Sequence, residues 1–357
     1  MKYIKQIDGL RFVAIFLVLI AHWLSPTFES AWLKNIDFGT GVTFFFVISG
    51  FLITKILIDF KQKNQHEEGR GNWHSIKSFY IRRTLRIFPI YYITIFFLLA
   101  IGFQNVKELF PWLVTYTLNI QIAITNDFPG SFTHFWSLAV EEQFYVFWAF
   151  FIVFLPNKYL KGLIFSSILI SIGLHFYLTY FTPYWAASNG LVITNMHSLG
   201  LGALIAYDKA FGNHFSKHIK TFKYALYALL VVYAVVYVYP HSGLFFQKLK
   251  HTSDTYLSFV YFAIVVIASN NAFTCGTKKF LENPIVLYIG KISYGLYIFH
   301  LFMNPLYFGF IGYHIHLPVN SNFGYFILFF FINLALASAS WFLIEKPIIG
   351  LKKHFKY

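Results

Sequence analysis

Arg11 and His22 fall in one apolar stretch near the start of this chain, with ten residues between them. Eleven helical steps of about 100° return to within about 20° of the start and rise about 16 Å. On a helix the guanidinium and the imidazole therefore share one stripe. Ionisable groups inside a membrane span are costly and mark function by default. Taken alone, Arg11 also fits a snorkelling anchor at the inner interface. His22, about 18 Å from the expected inner end of its span, has only the alternative of a satisfied structural histidine. An imidazole that is neutral near physiological pH suits a general base, or a nucleophile, in acyl transfer.

Three further constellations carry chemistry. Arg83 and Arg86 in Arg82-Arg83-Thr84-Leu85-Arg86 lie three apart and share a helical face. They read either as positive anchors at the inner interface or as a cradle for the phosphates of a nucleotide-linked donor, since guanidinium matches phosphate bidentately. Pro89 is expected to kink or open that helix end. Glu141 and Glu142 follow His134-Phe135-Trp136-Ser137 at the outer entrance of a span. Adjacent residues diverge by about 100° on a helix, so one carboxylate is expected to face the site and the other the surface. An acidic helix start is favourable in any case, but a carboxylate beside His22 would orient the ring and stabilise imidazolium. Ser293, Tyr294, Tyr297 and His300 form the last group, followed by Glu345-Lys346-Pro347. Ser293 and Gly295 read first as packing residues, and His300 as a residue lining an acceptor pocket.

The elements that must position these residues are membrane spans. Hydrophobic residues make up 57% of the 357 and charged residues only 12%, about half the charged share of soluble domains. The expected fold is all-α and polytopic, one integral-membrane domain over 1–357. About ten spans are expected, at 10–28, 42–60, 84–103, 138–155, 163–181, 190–208, 222–239, 256–272, 285–310 and 323–345, each near the length a bilayer requires. Most of the 28 Lys and Arg then fall in inner segments. Only Lys34, Lys107, Lys248 and Lys250 fall outside, and Arg11, Lys55 and Lys291 within spans. That bias places both termini in the cytoplasm.

The first span is expected to be uncleaved, because Asp8 and Arg11 interrupt a signal-peptide pattern. The segment 104–137 is expected to hold an amphipathic helix at the outer interface. The net charge of +14 reads as topology plus affinity for anionic lipid, and its scatter over short loops speaks against nucleic acid. The single Cys275 excludes an intramolecular disulfide. No metal site is expected. A transporter or flippase of a lipid-linked sugar or small solute is the competing class, but neither inverted repeats nor interrupted helices are visible, and the charges cluster near the two surfaces instead.

The chain resembles the membrane acyltransferase-3 family over essentially its whole length. The resemblance rests on six motifs in order: Arg11 with His22, Phe45-Phe46-Val47-Ile48-Ser49-Gly50-Phe51, Arg83-x-x-Arg86, Trp136-Ser137-Leu138-x-x-Glu141, Ser293-Tyr294-x-x-Tyr297-x-x-His300, and Glu345-Lys346-Pro347. It implies an O-acyltransferase of the bacterial cytoplasmic membrane. The implied donor is an acyl-CoA, commonly acetyl-CoA. The implied acceptor is a hydroxyl of an outer-face carbohydrate such as O-antigen in lipopolysaccharide, exopolysaccharide or peptidoglycan. His22 would be the essential histidine, with Glu141 preferred to Glu142 as its catalytic companion. Arg11, Arg83 and Arg86 would bind the donor, and His300, Ser293 and Glu142 the acceptor side. Some members carry a further hydrolase-like domain at the C-terminus. Its absence from this chain implies either that the membrane domain acts alone or that a separate envelope-biosynthesis partner completes the reaction. Whether His22 acts as a base or forms an acyl-imidazole stays open.

Overall fold

The structure, a computed structural model, describes residues 3–66, 71–239, 251–311 and 321–355. Lys2, Arg70, Lys248 and Lys250, which enter the charge argument, lie outside them. The described residues are helical almost throughout, with no strand among them. The principal helices are α1 (Lys5–Trp23), α2 (Gly41–His66), α3 (Asn72–Ala100), α4 (Val106–Val114), α5 (Leu118–Thr125), α6 (Phe135–Phe154) and α7 (Asn157–Phe181). They continue with α8 (Val192–Phe211), α9 (Ile219–Tyr233), α10 (Ser253–Ser269), α11 (Pro284–Lys291), α12 (Ser293–Phe299) and α13 (Asn322–Ser340). Eight of these, with their short extensions, are long and apolar enough to cross a membrane, and the α11–α12 pair makes a ninth when counted as one bent span. At the remaining expected span, α10 is apolar but has only 17 residues.

Three boundaries depart from the sequence reading in ways that bear on the site. α3 starts at Asn72, twelve residues before the expected 84. Its first turns are polar enough to escape a hydropathy window, yet Ser75, Ile76, Ser78 and Phe79 are buried there. α1 runs from Lys5 to Trp23 rather than from 10 to 28; Pro26, in the 3-10 turn that follows, has no N–H to continue the ladder. The expected span 285–310 breaks at Ile292 with a 55° bend. Against expectation, α3 runs unbroken through Pro89. The segment 104–137 is no eleventh span: it folds into the short helices α4 and α5. Asn119 of α5 is tied to Gln143 of α6 by reciprocal amide hydrogen bonds of 3.1 and 2.8 Å.

Two helix pairs meet backbone to backbone. A β-carbon at Gly50 of α2 would collide with the carbonyl of Leu199, and one at Gly202 of α8 with the carbonyl of Val47. Gly9 of α1 and Gly290 of α11 stand in the same relation to Leu281 and Asp8. Small residues that let backbones close up are how helices associate where lipid offers no hydrophobic drive. A buried bond of 2.8 Å from the Trp148 indole to Thr54 Oγ1 joins α6 to α2.

Candidate active site

Between α1, α2, α3, α6 and α12 lies a cavity of about 260 Å³. Arg11 faces it from α1, Arg83 and Arg86 from α3, Glu141 and Glu142 from α6, and Ser293 from α12. Its lining on α2 extends from Val42 to Ile56, about 21 Å of helix rise. The cavity is therefore long rather than round. Ser49 Oγ donates to Glu141 Oε1 at 2.7 Å and the Tyr145 hydroxyl to Oε2 at 2.9 Å, so both carboxylate oxygens are held. The Arg83 guanidinium sits over the rings of Tyr145, at 5.3 Å, and Phe79, at 5.8 Å. Arg11 Nη1 lies 3.8 Å from the Asp8 carboxylate. Buried without a hydrogen-bond partner are Glu142 Oε1 and Ser293 Oγ. Tyr294 donates across to the Ile87 carbonyl at 2.8 Å, tying α12 to α3.

A second group stands at the other end of α1. The ring centroids of His22 and His300 are 5.1 Å apart, and those of His300 and His134 are 4.9 Å apart. His22 is exposed, whereas His134 and His300 are buried. His134 Nε2 bonds the Ile298 carbonyl at 3.0 Å, and His300 Nδ1 bonds the Tyr297 carbonyl at 2.6 Å. A carbonyl can only accept, so each of these nitrogens carries the proton. The other nitrogens, His134 Nδ1 and His300 Nε2, have no partner; in neutral rings they are acceptors. The Trp23 indole donates to the His300 carbonyl at 3.1 Å and closes α1 onto this group. Tyr297 connects the two groups. It lines the cavity, its hydroxyl is 2.6 Å from Ser137 Oγ, and its ring lies 5.2 Å from that of His300.

The sequence residues are thus gathered, though not as mapped. Arg83 and Arg86 are mid-helix rather than at an inner end, because α3 begins so early. Only Arg82 turns away, donating to the carbonyls of Lys352 and Phe355. Both glutamates line the cavity, whereas only one was expected to. Glu141 bonds Ser49 and Tyr145 on the arginine side instead of orienting the His22 ring, because it lies about 9 Å into α6, away from the end where α1 stops. His300, expected to line an acceptor pocket, is packed among histidine and tyrosine rings, while Ser293 and Glu142, expected on the acceptor side, line the arginine cavity. His22 is in the last turn of its helix, not deep within a span. Sequence reasoning did not single out His134, Ser137, Tyr145 or Ser49 as site residues. His134, Ser137 and Ser49 stand inside quoted motifs and Tyr145 four residues after Glu141, but nothing in their spacing distinguishes a ligand-facing side chain from a packed one.

Three guanidiniums along one elongated cavity suit a polyanionic ligand with a narrow extended arm, phosphate oxygens being their natural partners. Among the described residues, no group of three or more His, Cys, Asp or Glu could hold a metal ion.

Comparison with known proteins agrees with this chemistry. The sequence profile of the acyltransferase-3 family, described as an acyltransferase domain, matches residues 4–342. A Staphylococcus aureus (strain COL) protein bearing the name "Putative O-acetyltransferase" is 29% identical over 329 residues, covering 84% of this chain and 50% of that protein. The peptidoglycan O-acetyltransferase OatA of Listeria monocytogenes is 32% identical over 191 residues, 48% of this chain and 28% of that protein. The O-acetyltransferase OatA of Staphylococcus aureus (strain NCTC 8325) is 27% identical over 394 aligned positions, 99% of this chain and 58% of that protein. The chain spans about half the length of the first of these relatives. No solved structure matches.

Proposed function

The chain belongs to the acyltransferase-3 family, and from that premise we propose that it is an integral-membrane O-acetyltransferase. In this reading it moves acetyl from acetyl-CoA to a hydroxyl of an extracytoplasmic carbohydrate. The observation that carries the reading is the long cavity, with Arg11, Arg83 and Arg86 on its walls and Tyr297 linking it to the histidines. The arginines would hold the donor's phosphates from the cytoplasmic side, and the narrow length of the cavity suits the pantetheine arm. Ser293 and Glu142, with unpartnered buried oxygens, are free to hydrogen-bond that arm. Glu141 and Glu142 share these walls and Asp8 stands by Arg11, so the donor's phosphates would compete with those carboxylates for the guanidiniums.

His22 is the base of the reaction. The acceptor oxygen forms the new C–O bond as the thioester C–S bond breaks. The hydroxyl proton passes to the imidazole and leaves on the released thiol. The packed rings of His300 and His134 fix the end of α1 and so the place of that imidazole. A relative named as a peptidoglycan O-acetyltransferase supports an envelope glycan as acceptor. The direct test is transfer of radiolabelled acetyl from acetyl-CoA to cell-envelope material by membrane vesicles. Label in glycan with the wild-type protein and none with His22→Ala is the expected result. Equal labelling by both removes His22 from the mechanism, and no labelling by either, with intact protein and donor, sinks the acetyltransferase reading.

A further inference from the structure

The molecule has a second cavity that this mechanism does not use. It has a volume of about 270 Å³ and lies at the end of the bundle where α2, α6 and α10 begin. Asp37, Thr43, Trp136, Asn195, Ser253 and Asp254 line it, with no lysine or arginine among the described residues on its walls. His251 lines it as well; two carboxylates with no lysine or arginine beside them among the described residues disfavour an anion such as the donor.

The walls are built rather than incidental. Ser253 Oγ donates to Asp37 Oδ2 at 2.6 Å, and His175 Nε2 stands 3.6 Å behind Asp254. Asn195, only 6% exposed, gives its amide N–H groups to the carbonyls of Asn189 and Leu191. Its own oxygen has no protein donor among the described residues. Thr43, 8% exposed, likewise lines the cavity with a hydroxyl that has no protein partner there. Burial pushes the Asp37 carboxyl above its ordinary range, with the Ser253 bond opposing and the Asp254 charge adding to the rise. Trp136 contributes a broad apolar face among these polar groups.

The two cavities adjoin. Val42 lines both, and Phe46 of the first meets Trp136 of the second edge to face, with centroids 6.0 Å apart.

We propose that this second cavity holds the sugar ring that accepts the acyl group. Trp136 lies against the ring's apolar face, and Thr43, Asn195 and Asp254 hydrogen-bond its hydroxyls. The assignment rests on the O-acetyltransferase reading and adds to it the place and class of the acceptor: a neutral, polyhydroxylated ring entering from the end opposite the arginines.

The test uses purified full-length protein, radiolabelled acetyl-CoA and the envelope glycan fraction that the wild type labels. Initial rates are measured against glycan and against acetyl-CoA. Trp136→Leu is expected to raise the glycan KM at least tenfold, and the near-isosteric Thr43→Val three- to tenfold, with the acetyl-CoA KM within twofold of wild type. Thr43→Val decides the matter if Trp136→Leu unfolds in detergent. A glycan KM unchanged within twofold, or a rise in the acetyl-CoA KM instead, overturns the acceptor site while leaving the transferase reading intact. Failure of the wild type to label any fraction overturns the transferase reading and this inference with it.

Discussion

The arginine-lined cavity and the cavity lined by Trp136 touch at Val42, yet they are furnished with opposite charge. The first faces Arg11, Arg83 and Arg86 against two glutamates. The second faces Asp37 and Asp254 with no lysine or arginine among the described residues of its walls. On the proposed reading, each is a poor host for the other's ligand: the donor's polyphosphate would be repelled from the second, and a neutral ring would gain little from the guanidiniums in the first. Sorting by fixed charge of this kind works against the wrong partner as much as for the right one. It also spares the protein any need to tell two substrates apart by shape in one shared chamber.

The sharpest way to separate the two cavities is to remove what acts between them. His22→Ala is expected to abolish transfer, a loss of at least a thousandfold, while acetyl-CoA binding measured by calorimetry stays within threefold. Lost donor binding in this variant would erase the distinction. Next in size, Arg83→Ala and Arg86→Ala are each expected to weaken acetyl-CoA binding ten- to hundredfold, the value of one or two charge-assisted hydrogen bonds, with the glycan KM unmoved. Gly202→Ala acts on both cavities alike. Its β-carbon meets the Val47 carbonyl, and a cost of about 1–3 kcal/mol should lower the thermal midpoint in detergent and leave both KM values unchanged in the folded fraction.

The smallest expected effect concerns Asp37. A carboxyl whose folded pKa is raised binds its proton more tightly in the native state. Its stabilising contribution is therefore complete below the ordinary value of 3.8 and is lost as pH rises through the raised one. Asp37→Asn should flatten that part of the stability–pH curve, read as thermal midpoints from pH 4 upward. An unchanged slope would mean that Asp37 is charged throughout.

Much of this was legible in the residues. The order of apolar stretches gave the helical frame, and Arg11, Arg83, Arg86, Glu141, Glu142 and Ser293 do line one cavity. The illegible parts have definite causes. Hydropathy could not see that α3 begins at Asn72, because its opening turns are polar. With that start hidden, the length of helix that precedes Arg83 and Arg86 could not be read. The partner of Glu141 was misassigned because depth along α6 depends on where that helix starts relative to α1, which no single-helix periodicity contains. The polar wall of the Trp136 cavity was illegible: Asp37, Asn195 and Asp254 come from three separate segments with no shared spacing, and only the packing of α2, α8 and α10 brings them together.

The glycine contacts have a mechanical corollary. With Gly50 and Gly202 pressing α2 onto α8, Gly290 pressing α11 onto α1, and Gly9 set against the Leu281 carbonyl just before α11, the walls that carry Ser49 and Arg11 are tightly packed. The α3 wall is held instead by side chains, such as the Tyr294 hydroxyl on the Ile87 carbonyl and Arg83 over Tyr145. In the proposed reaction, the α3 wall is where the arginine cavity would open to release the spent coenzyme, and that opening would set a ceiling on turnover.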